Sequence, residues 1–277
     1  MSKILCPVDF SPASLNALEY ATRIAEKSGS VLNIFHFFTE EEFNEIVSEE
    51  KISKSFKELL GLATSRLENI ANVIMKEGKR HGLAGCHASV ELGELGHGIA
   101  QKAAEGHQLI VMGTTGLGAK GKKWMGSNTS NVIKKSTVPV LSVPESTAYS
   151  GFKKMVYASD FYEEDKIKIQ DVIAYATMFD ARINVVHFTQ GHNKLEEIEI
   201  RNFFTELESF VQYRKIEFES RSYKSDLSHA LLDYMEEVEG DLLAIYSRER
   251  GFVEALMHKS VAKKLSVISN KPVLILK

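Results

Sequence analysis

A short segment decides the fold: KILCPVDFSPAS, residues 3–14, which the chain repeats as KMVYASDFYEED, residues 154–165. The alignment continues without a gap into LNIFHFF in the first copy and INVVHFT in the second. Identical residues at matching positions include Asp9 with Asp160, Phe10 with Phe161, Ala25 with Ala176, Asn33 with Asn184, His36 with His187 and Phe37 with Phe188. The sequence therefore contains two copies of one structural unit.

The two copies also share their ends, where STVPVLSV in the first half matches SNKPVLIL in the second. The second half is shorter between these two matches. PESTAYSG, residues 144–151, has the Pro, Ser and Gly content of a linker. We therefore predict two domains, residues 1–146 and residues 150–277.

Within each half, short apolar runs alternate with longer amphipathic segments. The predicted strands of the first half are KILCPV, VLNIFHFF, HASVEL, LIVMG and VPVLSV. Ser11 followed by Pro12 predicts a helix start after the first strand, and further helices are expected within 40–81 and at about 96–105 and 127–136. This alternation is typical of an α/β fold with a parallel sheet covered on both faces. Such sheets bind ligands beyond the carboxyl ends of their strands.

The composition narrows the class of protein. With 277 residues, 44% hydrophobic and 26% charged, the chain reads as globular, and its formal charge of −3 argues against a nucleic-acid partner. The two cysteines, Cys6 and Cys86, are too few for a disulfide scaffold or a zinc site. Cys6 lies in an apolar run, so we expect its thiol to be buried. No apolar run approaches the ~18 residues of a membrane span, and Pro7 and Asp9 come too early for a signal peptide. We expect a cytoplasmic protein with no membrane partner.

The densest glycine cluster, VMGTTGLGAKGKKWMGSNTS at residues 111–130, fits three phosphate-binding templates in whole or in part. The dinucleotide template G-x-G-x-x-G should follow the first strand and be followed by an acidic residue, but here it follows the fourth strand, and residues 106–144 contain no Asp or Glu. The P-loop template fails because Lys123 stands where Ser or Thr should be. The third template, G-x-x-G-x9-G-S, fits completely at Gly113, Gly116, Gly126 and Ser127.

The chemistry of this third template suits a phosphate group. Glycine at 113 and 116 permits close approach of a ligand, and Gly126 with Ser127 opens a helix whose free N–H groups favour an anion. Lysines without neighbouring carboxylates give the loop a positive local charge.

This motif after a fourth strand, closed by STVPVLSVP, resembles the ATP-binding universal stress protein family. PVDFS and IFHFF look like the family's other signatures, and the resemblance covers both halves. It implies, for each half, a five-stranded parallel sheet with helices on both faces, which is Rossmann-like and similar to the adenine nucleotide alpha hydrolase fold. It implies ATP as cofactor, with or without Mg2+. The residues it implies for the site are Asp9 at the nucleoside, Phe37 at the adenine, Pro7 and Met112 lining that pocket, and Gly113, Gly116, Gly126, Ser127 and Asn128 at the phosphates.

Simpler explanations stand beside these roles. Asp9 could serve merely as the cap of the following helix, although Ser11 is better placed for that role. Ser127 could cap its own helix and bind phosphate at the same time. Phe37 departs from the smaller aliphatic residue expected there, and the sequence leaves open whether it belongs to the core or contacts adenine. His36 and His187 lie on apolar strands and are interpreted as structural.

The second half lacks the glycine loop, because Tyr246, Glu249 and Lys259 stand where the first half has Gly113, Gly116 and Gly126. We therefore predict one ATP site per chain, in the first domain, with the second domain as a structural partner. The family's dimers imply that VPVLSV and KPVLIL pair as antiparallel edge strands within the chain, which would form a pseudo-dimer. Whether two chains form a homodimer is left open.

The predicted function is an ATP-binding regulatory protein of the stress response, with no catalytic residues and no protein-bound metal site. Two alternatives remain at this stage. One is a slow ATPase or an adenylate-chemistry enzyme on the same fold, and the other is an interaction protein that binds no nucleotide.

Overall fold

The computed structural model describes residues 1–38, 56–93, 95–114, 127–161, 163–190, 194–246 and 269–277. The chain divides into two compact units, Met1–Tyr149 and Ser150–Lys277. Each unit has an α/β fold built on parallel strands, so the predicted fold class and the tandem arrangement are confirmed.

The first unit contains a parallel sheet in the order β3-β2-β1-β4-β5. Its strands are β1 (Lys3–Pro7), β2 (Val31–Phe38), β3 (Gly85–Leu92), β4 (Leu109–Gly113) and β5 (Val140–Val143). Its described helices are α1 (Pro12–Ser28), α2 (Phe56–Gly78), α3 (Leu95–Ala104) and α4 (Ser127–Lys135), with a 3-10 turn at Lys79–His81. The step from β1 to β4 places the carboxyl ends of these two strands side by side, and this is where parallel sheets bind ligands.

The second unit repeats this order as β10-β9-β6-β7-β8, again with parallel pairs. Its strands are β6 (Lys154–Ala158), β7 (Arg182–Gln190), β8 (Ile216–Tyr223), β9 (Leu242–Tyr246) and β10 (Val273–Leu276). Its described helices are α5 (Glu163–Phe179), α6 (Lys194–Phe210) and α7 (Leu227–Glu237). The shortening seen in the sequence lies between β7 and β8, where residues 191–215 replace the longer connection 39–84 of the first unit.

The start of α1 shows why the repeated segment folds as it does. The side chain of Ser11 accepts a hydrogen bond from the backbone N–H of Ser14 at 3.1 Å, and Pro12 opens the helix, as the sequence predicts. Gly29 ends the helix in the left-handed conformation, at φ 61°. Alanines in α1 are fully buried against the sheet, which lets the helix approach β1 and β4 closely.

The two cysteines are free and buried. Burial raises the pKa of Cys86 to about 12 and that of Cys6 above its usual range. Both thiols are therefore protonated at neutral pH and pack as small apolar groups, which confirms the predicted burial of Cys6.

The segment that follows β5 lies on α1 rather than extending freely. The side-chain amide of Asn16 donates to the carbonyl oxygens of Pro144 at 2.7 Å and Thr147 at 2.8 Å. The hydroxyl of Tyr20 donates to the carbonyl of Ala148 at 3.3 Å, and its ring meets that of Tyr149 edge-on at 5.0 Å. Most of the predicted linker is thus attached to the first unit.

No helix among the described residues is long and apolar enough to cross a membrane.

Candidate functional site

The strand registers of the first unit place three of the predicted pocket residues on one face of the sheet. Pro7 of β1 lies beside Phe35 of β2, and Leu5 lies beside Ile110 of β4, which puts Met112 next to Pro7. Residues in register on parallel strands project to the same face, as do residues two apart on one strand. Pro7, Phe37 and Met112 therefore share a face at the carboxyl ends of β1, β2 and β4.

Phe37 is packed into the protein, with 6% of its surface exposed. Its ring lies edge-on to Phe35, with centroids 4.5 Å apart. Gly93 and Gly98 lie against the other side, where a Cβ on either glycine would come within 2.7 Å and 2.3 Å of ring carbons. The ring thus occupies a niche that only glycines at these two positions leave open.

Asp9 lies in the loop between β1 and α1 and is fixed by local hydrogen bonds. Its Oδ1 accepts the backbone N–H of Ser11 at 3.0 Å, and its own N–H donates to the hydroxyl of Ser14 at 3.3 Å. Ser11 is the cap of the helix, while the carboxylate of Asp9 stabilises the loop just before the helix through its hydrogen bond.

The next residue, Phe10, has a left-handed backbone conformation at φ 63°. This costs a non-glycine residue about 1–2 kcal/mol, so the surroundings must hold it. Its ring lies 5.2 Å from the ring of His36, and the guanidinium of Arg66 on α2 lies 4.2 Å from its centroid. The Nδ1–H of His36 donates to the carbonyl of Val8 at 2.7 Å, so this histidine is structural and its tautomer is set. Neither Phe10 nor Arg66 is among the residues predicted from the sequence, although the repeated Asp-Phe pair is a signal for Phe10.

Gly113 ends β4 at a point of close contact with α1. A Cβ at this position would lie 2.8 Å from the carbonyl carbon of Ala13, so no other residue fits without displacing the helix. The carbonyl of Gly113 accepts the hydroxyl of Thr129 at 2.9 Å, which ties the first turn of α4 to the end of β4. The strand end is thereby joined to the helix start where the template places phosphate.

The remaining predicted residues divide into two groups. Ser127 and Asn128 open α4, but their side chains lie outside the described part of the chain. Gly116 and Gly126 also lie outside the described residues. Among the residues that are described, no group of three His, Cys, Asp or Glu side chains could hold a metal ion.

The second unit repeats the left-handed phenylalanine. Phe161 has φ 62° and stacks on His187 at 3.7 Å, and the Nδ1–H of His187 donates to the carbonyl of Ser159 at 2.7 Å. Phe203 and Phe204 of α6 contact the ring of Phe161, in place of the guanidinium that covers Phe10. The loop geometry is therefore conserved between the units, while the groups around it are not.

A buried carboxylate distinguishes the second unit at this loop. Asp165 stands where the first unit has Ser14, and it accepts hydrogen bonds from the hydroxyls of Tyr157 at 2.5 Å and Ser159 at 2.9 Å. It also accepts the backbone N–H of Asp160 at 3.1 Å. Burial, followed by the charge of Asp165, raises the pKa of Tyr157 well above its ordinary value, so the phenol remains the donor. Three donors thus converge on one carboxylate behind the strand end.

Two solved structures have the same fold as this chain over nearly its whole length. A universal stress protein from Archaeoglobus fulgidus is 17% identical, with a TM-score of 0.72 over 99% of this chain and 96% of that one. A functionally unknown protein from Pseudomonas aeruginosa is 16% identical, with a TM-score of 0.68 over 100% of this chain and 92% of that one. A universal stress protein solved in complex with cAMP matches 46% of this chain and 98% of its own, at 17% identity and a TM-score of 0.36.

No curated protein matches the chain. The model of the universal stress protein family matches it twice, over residues 1–144 and again over residues 151–277. The chain therefore belongs to the universal stress protein family and carries two of its domains in tandem.

Proposed function

We propose that the first domain binds ATP at the carboxyl ends of β1 and β4 and that the protein acts as an ATP-dependent regulator in the stress response. The observation that carries the proposal is the junction at Gly113. There the end of β4, the first turn of α1 and the first turn of α4 meet, through the close contact with Ala13 and the hydrogen bond from Thr129. A helix start at a glycine-rich strand end offers backbone N–H groups to phosphate.

The base would lie on the face shared by Pro7 and Met112, and the carboxylate of Asp9 would accept a hydrogen bond from the ribose. Gly113, Gly116, Gly126, Ser127 and Asn128 would hold the phosphates, with Mg2+ bound, if at all, through the phosphates themselves. No side chain of the site is assigned a catalytic role, so occupancy would act through conformation or partner affinity.

The second domain is proposed to bind no ATP. Tyr246 stands where the phosphate-binding template requires glycine, and Lys168 lies over its ring at 5.5 Å. The role of the second domain would be structural, through pairing of the last strands of the two domains.

The proposal is tested by calorimetric titration of the full chain with ATP, and by identifying nucleotide released when gently purified protein is denatured. We expect one ATP per chain. In the same titration, cAMP serves as the competing ligand. Gly126→Asp places a negative charge at the phosphates and should abolish binding, whereas Lys259→Asp at the matching position of the second half should leave it unchanged.

The outcomes separate the alternatives. Gly126→Asp protein that binds ATP with unaltered affinity contradicts the site, and two nucleotides per chain contradict the structural role of the second domain. Accumulation of ADP or AMP with turnover favours an enzyme, and a chain that binds no nucleotide favours an interaction protein.

A further inference from the structure

Phe37 is a large side chain at a position where the proposed base would lie. A phenyl ring directed towards β1 would fill that position, yet only 6% of the residue is exposed. The ring lies instead against Gly93 and Gly98, which follow β3, on the side of β2 away from Pro7 and Met112.

Gly93 and Gly98 form the niche that holds the ring of Phe37 in this position. A Cβ at Gly98 would lie 2.3 Å from Cζ of Phe37, 2.8 Å from Cε1 and 3.0 Å from Cε2. A Cβ at Gly93 would lie 2.7 Å from Cε1. Real Cβ atoms do not approach other atoms so closely, so a side chain at either position would have to displace the ring.

The direction of that displacement follows from the other neighbours. Helix α3 covers the ring at Gly98, and Phe35 lies edge-on at 4.5 Å on the side towards the middle of β2. The ring end is the most easily moved part of the contact, since it rotates about the side-chain bonds while the helix would have to move as a whole. Gly93 lies just past the carboxyl end of β2, where its N–H donates to the carbonyl of Phe38 at 3.1 Å, so the direction left to the ring is towards β1, where Pro7 shares its face.

We propose that Gly98 is a specificity-determining residue of the nucleotide site, because with Gly93 it holds Phe37 back and leaves room for an unsubstituted adenine. This inference rests on the proposed function of the first domain. The second unit has no such arrangement at the matching residue, since Phe188 meets the rings of Tyr223 and Tyr234 at 6.4 Å and 6.1 Å.

Gly98→Ala tests the inference in the full chain, with ATP affinity measured by calorimetry. Forcing the ring out of a packed niche should weaken ATP binding by about tenfold or more. The double variant Gly98→Ala/Phe37→Leu should bind within about threefold of the wild type, because the shorter side chain clears the new methyl group. Gly61→Ala is the matched control, since it also adds a methyl group to a helix of this unit but meets no atom within 4 Å.

Phe37→Leu alone provides a second measurement that does not depend on the folding of Gly98→Ala. Removing the ring should enlarge the base pocket and shift the affinity ratio of N6-benzyl-ATP to ATP about tenfold towards the larger ligand. Circular dichroism and thermal unfolding establish that each variant is folded.

The inference about Gly98 is overturned if folded Gly98→Ala protein binds ATP like the wild type, or if Phe37→Leu has an unaltered ligand ratio. Either result leaves the proposed function of the first domain standing. A wild-type chain that binds no ATP overturns the proposed function instead. If Gly98→Ala does not fold, the ligand ratio of Phe37→Leu decides.

Discussion

His107 is a buried histidine whose hydrogen bonds require the neutral ring. Its Nδ1 lies 3.0 Å from the carbonyl oxygen of Lys102, so Nδ1 carries the proton and donates, while Nε2 accepts from the side-chain amide of Asn33 at 2.8 Å. Burial lowers the pKa of His107 below its ordinary value. Protonation would place a hydrogen on Nε2, directly against an amide that already donates.

The pH dependence of stability follows from this lowered pKa. Below the unfolded pKa of roughly 6.5 the unfolded state binds more protons than the folded state, so the stability contributed by neutral His107 is present above that pH and lost as the pH falls. We expect the first unit to lose unfolding free energy between about pH 7 and pH 5, and His107→Gln to reduce that slope. Urea unfolding at several pH values measures it, with the exposed His81→Gln as control. An equal slope in wild type and His107→Gln would contradict the assignment.

At the scale of single residues, the sequence predicts the site only as far as its motifs resemble those of the family. Pro7 and Met112 were expected in one pocket because of that resemblance, and the strand registers place them side by side. The burial of Phe37 could not be predicted, because its niche depends on how α3 crosses the sheet and on two glycines distant in the chain. Arg66 was missed for the same reason, since nothing in the pattern of α2 indicates which of its polar residues lies over Phe10.

At the scale of elements, the start of α5 depends on a single buried carboxylate. Asp165→Ala would leave the hydroxyl of Tyr157 and the N–H of Asp160 without their acceptor, and we expect it to destabilise the second unit by about 2–4 kcal/mol. Ser14→Ala, the matched change in the first unit, removes a weaker acceptor and should cost about 1 kcal/mol. Hydrogen exchange of the β6 and β1 peptides in the full chain measures both. Similar protection of β6 in Asp165→Ala and wild type would show that the network contributes little.

Several elements were predictable to the residue. Strands β2 and β4 begin and end where their apolar runs do, and the cap at Ser11 forms as expected. The attachment of residues 144–149 to α1 was not predictable, because side-chain bonds from Asn16 to backbone carbonyls leave no trace in the composition of the linker.

At the scale of the whole molecule, the proposed division into an ATP-binding first domain and a structural second domain predicts different responses to nucleotide. A ligand that binds only the folded first unit stabilises that unit by about 2.7 kcal/mol at a hundredfold excess over its Kd. We therefore expect ATP to raise the unfolding temperature of Met1–Tyr149 and to leave Ser150–Lys277 nearly unchanged. Calorimetry with proteolysis at each temperature identifies which unit has unfolded. Equal shifts for both units would contradict a single site.

Phe10 and Phe161 both have a left-handed backbone conformation, and the ring of each contacts a histidine ring. This repeated turn has a consequence for protein engineering. Both halves build the same backbone turn after their first strand although the side chains around it differ, so the turn does not depend on the glycine loop. Residues 246–260 align with residues 113–127 without a gap, although few of the residues are identical. The second half is thus a recipient scaffold for loop transplantation, and the number of nucleotides bound per chain becomes a quantity that can be designed.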